Sequence, residues 1–141
     1  MSSNRTPDAL VFFGVTGDLA YKKIFPALRV LLRQDKLNMP VVGVAKSGWT
    51  RDQFLERAHN SLKEYGGGVD ENEFNTLAQH LDYVDGDYAD GATFAAVKQK
   101  LGSASSPTHY LAIPPFLFGK TVEQLGKAGL ADNAHVVIEK P

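Results

Sequence analysis

The sequence has no cysteine among its 141 residues. This absence excludes disulfide bonds, thiolate metal sites and thiol catalysis, and it is compatible with a reducing compartment. An excess of charge of one sign is missing too, because 15 Lys and Arg residues nearly balance 16 Asp and Glu residues, for a formal net charge of -1. We therefore expect no nucleic-acid or anionic-membrane partner, and any phosphate binding must be local.

Long apolar runs are also absent. Residues 1–8 (MSSNRTPD) have no apolar stretch of the kind that a signal peptide needs, and no later stretch approaches membrane-spanning length. We expect a flexible segment at 1–8 followed by one compact domain, since the chain has ordinary domain length and is 43% hydrophobic. The sequence therefore predicts a cytoplasmic protein that does not insert into a membrane.

Short apolar runs alternate with helical patterns along the rest of the chain. The run ALVFF at 9–13 is typical of a strand buried on both faces of a parallel sheet. Four similar runs follow, at 40–45, 81–87, 108–113 and 134–139. Five strands alternating with helices predict a doubly wound, Rossmann-like α/β fold: a mainly parallel sheet with helices on both faces and ligands at the carboxyl ends of the strands.

The helix boundaries are indicated by capping and breaking residues. Thr50, Asp70 and Asp90 each precede a helical pattern and can cap it, and Gly102 stops the helix that begins after Asp90. Pro26 lies inside the first helical pattern, at 19–34, and should kink or delay it. We expect the most regular turns of that helix after Pro26.

The first strand-to-helix turn, Gly14–Ala20, has the spacing G-x-x-G-x-x-A of a dinucleotide-binding turn. Gly14 suits a tight turn, Gly17 allows a pyrophosphate to approach the backbone, and Ala20 is small enough for close packing of helix on strand. The following helix start offers N–H groups to phosphates. Ordinary turns also contain two such glycines, so the interpretation depends on the buried strand before the turn and the helix after it.

The end of the second strand predicts which nucleotide is used. Enzymes that use NAD usually carry Asp or Glu there for the ribose hydroxyls. This chain has Ala45, Lys46 and Ser47, and a cation with a hydroxyl suits a 2′-phosphate. The pattern favours NADP, although a solvated loop lysine is the alternative interpretation of Lys46.

Four motifs in order resemble the glucose-6-phosphate dehydrogenase family. They are GVTGDLAYKK at 14–23, VGVAKS at 42–47, YLAIPP at 110–115 and IEKP at 138–141. Members of the family commonly have arginine in place of Lys46. The resemblance implies that 9–141 is an amino-terminal NADP-binding Rossmann domain, truncated before the catalytic and substrate domain.

The resemblance also implies a set of ligand-binding residues. Lys46 would hold the 2′-phosphate without the bidentate grip of arginine, and Lys23 and Lys140 would contact the substrate, glucose 6-phosphate. The cofactor-binding residues that it implies are Gly14, Val15, Thr16, Gly17, Asp18, Leu19, Ala20, Lys46, Ser47, Asp87, Tyr88, Ala112, Pro114 and Lys140.

The family oxidises glucose 6-phosphate to 6-phosphogluconolactone in the oxidative pentose phosphate pathway, passing hydride to NADP while a histidine removes a proton. By the resemblance, that histidine would lie beyond Pro141, so we expect no catalytic residue in this chain and no activity from it alone. The parent enzyme is expected to form a homo-oligomer through the absent domain. His109 is interpreted as structural, and the other histidines lack metal-ligand spacing.

Two alternatives belong to other classes. The chain could be a stand-alone NADP(H)-binding sensor or interaction module. It could also be a short-chain reductase or epimerase, which shares a similar turn but needs a Tyr-x-x-x-Lys pair. No lysine lies four residues after any of the five tyrosines, which counts against that class.

Overall fold

The computed structural model describes residues 7–138, and these form one parallel sheet flanked by helices. The strands lie in the order β3-β2-β1-β4-β5, and every neighbouring pair is parallel. Their bounds are β1 (Ala9–Phe13), β2 (Val41–Ala45), β3 (Leu81–Asp85), β4 (Pro107–Leu111) and β5 (His135–Ile138). The predicted doubly wound, Rossmann-like fold is confirmed.

Helices cover both faces of the sheet. They are α1 (Phe25–Arg33), α2 (Arg51–Tyr65), α3 (Glu71–Ala78), α4 (Gly91–Leu101) and α5 (Phe118–Lys127). Side chains alternate along β1, so Phe12 joins the core beneath α1, α2 and α3, while Val11 and Phe13 join the core beneath α4 and α5. The central strands β1 and β2 thus bury both of their faces, as their continuous apolar runs predicted, whereas the edge strand β5 is exposed at all four of its residues.

Helix caps occur where the sequence predicted them. Thr50 accepts a hydrogen bond from the backbone N–H of Gln53, whose side chain accepts one from the Thr50 N–H, which completes a capping box. The side chains of Asp70 and Asp90 cap α3 and α4 by accepting hydrogen bonds from backbone N–H groups of the first turn. Gly102 ends α4 with φ at +60°.

The first helix contains a wide turn before its proline. Helical conformation begins at Asp18, continues as π-helix from Ala20 to Ile24, and becomes regular α-helix in α1. The N–H of Phe25 donates to the carbonyl of Ala20, five residues back. Because Pro26 has no N–H and its ring crowds the preceding turn, the expected disturbance lies on its amino-terminal side.

The strand order predicts a ligand crevice at the carboxyl ends of β1 and β4. After β1 the chain continues to β2, which is the neighbour of β1 toward one edge of the sheet. The strand β4 is the neighbour of β1 toward the other edge. Ligands of doubly wound sheets bind at such a reversal of strand order. Within residues 7–138, no helix is long and apolar enough to cross a membrane.

Candidate cofactor-binding site

Gly14 ties the end of β1 to both neighbouring strands. Its φ is +87°, and its N–H donates to the carbonyl of Val44 at 2.8 Å. A Cβ at this position would lie 2.1 Å from the carbonyl oxygen of Ala112, whose own N–H donates to Phe13. The sequence predicted Gly14 from the tight turn alone, and the structure adds close packing against the end of β4.

The rest of the turn divides into buried and open residues. Val15 is buried, and a Cβ added to Gly43 would lie 2.8 Å from its side chain, so only the backbone of Val15 can face a cofactor. Ala20 is also buried, as the packing argument required. Gly17 is exposed, and a Cβ there would meet only the Gly14 carbonyl, at 3.4 Å. The open backbone at Gly17 therefore offers the close approach expected for a pyrophosphate.

Two hydroxyls and an ammonium group lie at the ends of β1 and β2. The Thr16 and Ser47 hydroxyls are hydrogen-bonded at 2.9 Å. Lys46 is exposed and forms an ion pair with Asp87, with Nζ 3.0 Å from Oδ2. Two hydroxyls and one cation are a donor set that fits a phosphate monoester. A bound phosphate would compete with Asp87 for Lys46.

Asp85, at the end of β3, was not predicted as a site residue. Its Oδ1 accepts hydrogen bonds from the backbone N–H groups of Ser47, Gly48 and Trp49 at 3.0, 2.9 and 3.3 Å, and from the Tyr83 hydroxyl at 2.6 Å. Desolvation alone would raise the pKa of Asp85, but these hydrogen bonds hold it below its usual 3.8. The sequence contains a signal for this contact. Asp85 ends the third apolar run, and in a parallel sheet the end of β3 lies beside the loop that follows β2.

Asp87 and Tyr88, which follow β3, point in different directions. The N–H of Ala89 and the Lys46 ammonium lower the pKa of Asp87. The Tyr88 hydroxyl donates to the carbonyl of Val44 at 3.4 Å and its ring packs edge-on against Phe13, and burial raises its pKa to about 12. Tyr88 thus supports the strand ends from within the core.

The segment after β4 forms the opposite wall of the crevice. The carbonyl of Pro114 accepts a hydrogen bond from the N–H of Leu117, which closes a short 3₁₀ turn, Pro115–Leu117. Phe116 in this turn is 83% exposed. A large exposed ring in the turn after β4 is a candidate ligand contact that the sequence did not single out.

Neither of the two predicted substrate contacts, at Lys23 and at Lys140, is tested by the structure. Lys23 is exposed and lines an open apolar groove of about 330 Å³ between α1 and the sheet, and neither Thr16 nor Ser47 lines that groove. Its contact with a sugar phosphate stays a prediction. Lys140 and the adjoining Pro141 lie outside the described residues.

His109 is structural, as predicted. It is fully buried, and its Nε2 donates to the carbonyl of Leu130 at 2.8 Å. His80 precedes β3 and His135 begins β5, so both lie at the amino ends of strands, far from the crevice. Across 7–138, no group of three His, Cys, Asp or Glu residues could hold a metal ion.

Burial of His109 predicts a pH dependence of stability. Burial lowers its pKa below the ordinary 6.5, so the unfolded chain binds a proton that the folded chain does not. The free energy of unfolding should then decrease as the pH falls below about 6.5. Urea unfolding at about pH 7.5 and about pH 5.5 measures this decrease, and His109→Gln should reduce it. A decrease of equal size in His109→Gln would contradict the assignment.

A family model and the curated relatives identify the family of this chain. The family model described as glucose-6-phosphate dehydrogenase, NAD binding domain, matches residues 11–141. Glucose-6-phosphate 1-dehydrogenase 1 of Mycobacterium tuberculosis is 39% identical over 134 residues, which cover 95% of this chain and 28% of that protein. The chain therefore spans less than a third of the length of this relative.

Solved structures extend the likeness to the fold. The crystal structure of glucose-6-phosphate 1-dehydrogenase from Mycobacterium avium superposes with a TM-score of 0.90 at 43% identity, covering 96% of this chain and 30% of that one. A glucose-6-phosphate dehydrogenase in complex with glucose 6-phosphate superposes with a TM-score of 0.80 at 24% identity, covering 97% of this chain and 32% of that one. The second likeness supports the fold alone.

Proposed function

This chain belongs to the glucose-6-phosphate dehydrogenase family, and we propose that it is the part of such an enzyme that binds NADP. The observation that carries the proposal is the polar cluster at the ends of β1 and β2, which consists of the Thr16–Ser47 hydroxyl pair and of Lys46, the residue before Ser47, whose Nζ pairs with Asp87. This cluster offers hydroxyls and a cation where NAD enzymes place a carboxylate for the ribose. NADP, when bound, supplies the nicotinamide that accepts a hydride.

The residues of the turn would bind and orient the nucleotide. Gly17 leaves the backbone open for the pyrophosphate, and the helix that begins at Asp18 directs the positive end of its dipole toward it. Lys46 would release Asp87 and pair with the 2′-phosphate, which carries more charge than a carboxylate. Ala112 and Pro114 would line the opposite wall of the crevice.

We propose that the whole protein oxidises glucose 6-phosphate to 6-phosphogluconolactone, with Lys23 and Lys140 contacting the sugar phosphate. Its relatives bear the name of this activity. A general base must reach the substrate directly or through one water. His109 is buried, His59 lies in α2, and His80 and His135 lie at amino ends of strands. We therefore expect residues 1–141 alone to bind nucleotide without turnover.

We also propose that the protein is cytoplasmic and assembles as a homo-oligomer. The absence of cysteine supports a reducing compartment. The relatives carry more than two thirds of their length outside the matched region, and we place the contact between subunits in that additional part.

Lys46→Ala tests the choice of nucleotide. We expect the wild-type chain to bind NADP more tightly than NAD, and Lys46→Ala to weaken NADP binding by roughly tenfold, since one charged phosphate contact is lost. Binding of NAD should change little, because NAD has no 2′-phosphate. Calorimetric titration of both variants with both nucleotides measures the four dissociation constants.

Lys100→Ala is the matched control. Lys100 is another lysine in a surface ion pair with an aspartate of β3, at 3.5 Å from Asp82, but it lies at the opposite end of that strand. We expect no change in the binding of either nucleotide. Equal affinity of the wild type for NADP and NAD, unchanged by Lys46→Ala, would refute the 2′-phosphate assignment.

A further inference from the structure

The loop after β2 forms a small concave anion site that is filled by the protein itself. The N–H groups of Ser47, Gly48 and Trp49 converge on Oδ1 of Asp85, and Gly48 adopts φ +71° to allow it. Successive N–H groups in such a turn are a common site for phosphate. Because Asp85 occupies these three donors, a cofactor phosphate must be bound by the side chains of the loop instead.

The hydrogen bonds between Asp85 and the loop also determine where the side chains of the loop lie. Asp85 is fixed by its strand and by the Tyr83 hydroxyl, which is buried and donates to the same Oδ1 at 2.6 Å. Lys46 and Ser47 belong to the loop that Asp85 holds, and Ser47 reaches across to Thr16. The position of the hydroxyl pair and of the ammonium group therefore depends on a carboxylate that is not itself a phosphate ligand.

We propose that Asp85 is a positioning residue that sets the preference for NADP over NAD by holding the loop 46–49. This inference rests on the proposed NADP site and deepens it. Asp85 acts through Lys46 and Ser47, which face only the part of the nucleotide that NADP has and NAD lacks. The loss of Asp85 should therefore weaken one nucleotide and spare the other.

Two substitutions separate the hydrogen-bond acceptor from the charge. Asp85→Ala removes Oδ1 and releases the loop, so the dissociation constant for NADP should rise roughly tenfold while that for NAD changes by less than about twofold. Asp85→Asn keeps an oxygen acceptor in place and should retain most of the NADP affinity.

Gly48→Ala strains the same turn without touching Asp85, because nothing lies within 4 Å of its Cβ, and should also weaken NADP binding selectively.

Trp49 gives a readout that needs no nucleotide. It is the single tryptophan of the chain, and its N–H is one of the three donors to Asp85. Quenching of its fluorescence by acrylamide should increase in Asp85→Ala and stay near the wild-type value in Asp85→Asn. Far-ultraviolet circular dichroism checks that each variant is folded, and Gly48→Ala tests the inference if Asp85→Ala is not.

The outcomes distinguish this inference from the proposed function. A wild-type chain that does not prefer NADP refutes both. A wild-type preference that survives in Asp85→Ala, or equal weakening of NADP and NAD, overturns the positioning role and leaves the proposed function standing. Loss of NADP binding in Asp85→Asn equal to that in Asp85→Ala would assign the effect to charge and would also overturn it.

Discussion

Gly14→Ala is expected to destabilise the domain by about 3 kcal/mol or more and to abolish nucleotide binding with it. The added Cβ would lie 2.1 Å from the carbonyl oxygen of Ala112, at a backbone φ of +87° that side chains rarely adopt. The turn cannot move away easily, because the Gly14 N–H is bonded to Val44 and the Ala112 N–H to Phe13. Urea unfolding followed by circular dichroism measures the loss.

Gly17→Ala is the informative control for Gly14→Ala. Its Cβ would meet only one atom, at 3.4 Å, so the free energy of unfolding should stay within about 1 kcal/mol of the wild type. In the proposed site the same methyl group would lie where the pyrophosphate approaches the backbone, so nucleotide binding should still weaken. A Gly14→Ala variant as stable as Gly17→Ala would show that the contact with Ala112 does not constrain the turn.

Features decided by neighbouring residues were predictable from the sequence. The caps at Thr50, Asp70 and Asp90 require only a side chain and the N–H groups two or three residues ahead. The strands follow from apolar runs of five residues or so, and the alternation with helices predicts a parallel sheet. The residues at the end of the second strand indicated Lys46 and Ser47, and the structure places the Ser47 hydroxyl 2.9 Å from that of Thr16.

Features decided by distant segments were not predictable in the same way. The contact of Asp85 with the loop after β2 joins residues 36 to 38 positions apart and depends on the register in which β2 pairs with β3. The ion pair of Lys46 with Asp87 arises from the same register. The inward direction of Val15 likewise depends on Gly43 of the neighbouring strand.

Arg29→Ala is the second substitution with a large expected effect. Arg29 lies in α1 and is only 5% exposed, and its guanidinium donates to the carbonyls of Gly66 and Gly68 just after α2. Alanine would leave both carbonyls without these donors and open a cavity between the two helices. We expect a loss of roughly 3 kcal/mol in the free energy of unfolding, measured by urea titration.

Arg33, one turn later in the same helix, provides the matched control for Arg29→Ala. It forms two hydrogen bonds with Glu73, at 2.7 and 2.8 Å, but it is largely exposed, so water replaces the partner that Arg33→Ala removes. Arg33→Ala should therefore cost only a small fraction of the loss in Arg29→Ala. Equal losses would mean that the buried carbonyl contacts do not hold α1 against the end of α2. A large loss confined to Arg29→Ala would show that these contacts hold α1 against the end of α2. The helical segment that begins at Asp18, beside the glycine turn, would then be fixed through its carboxyl-terminal half.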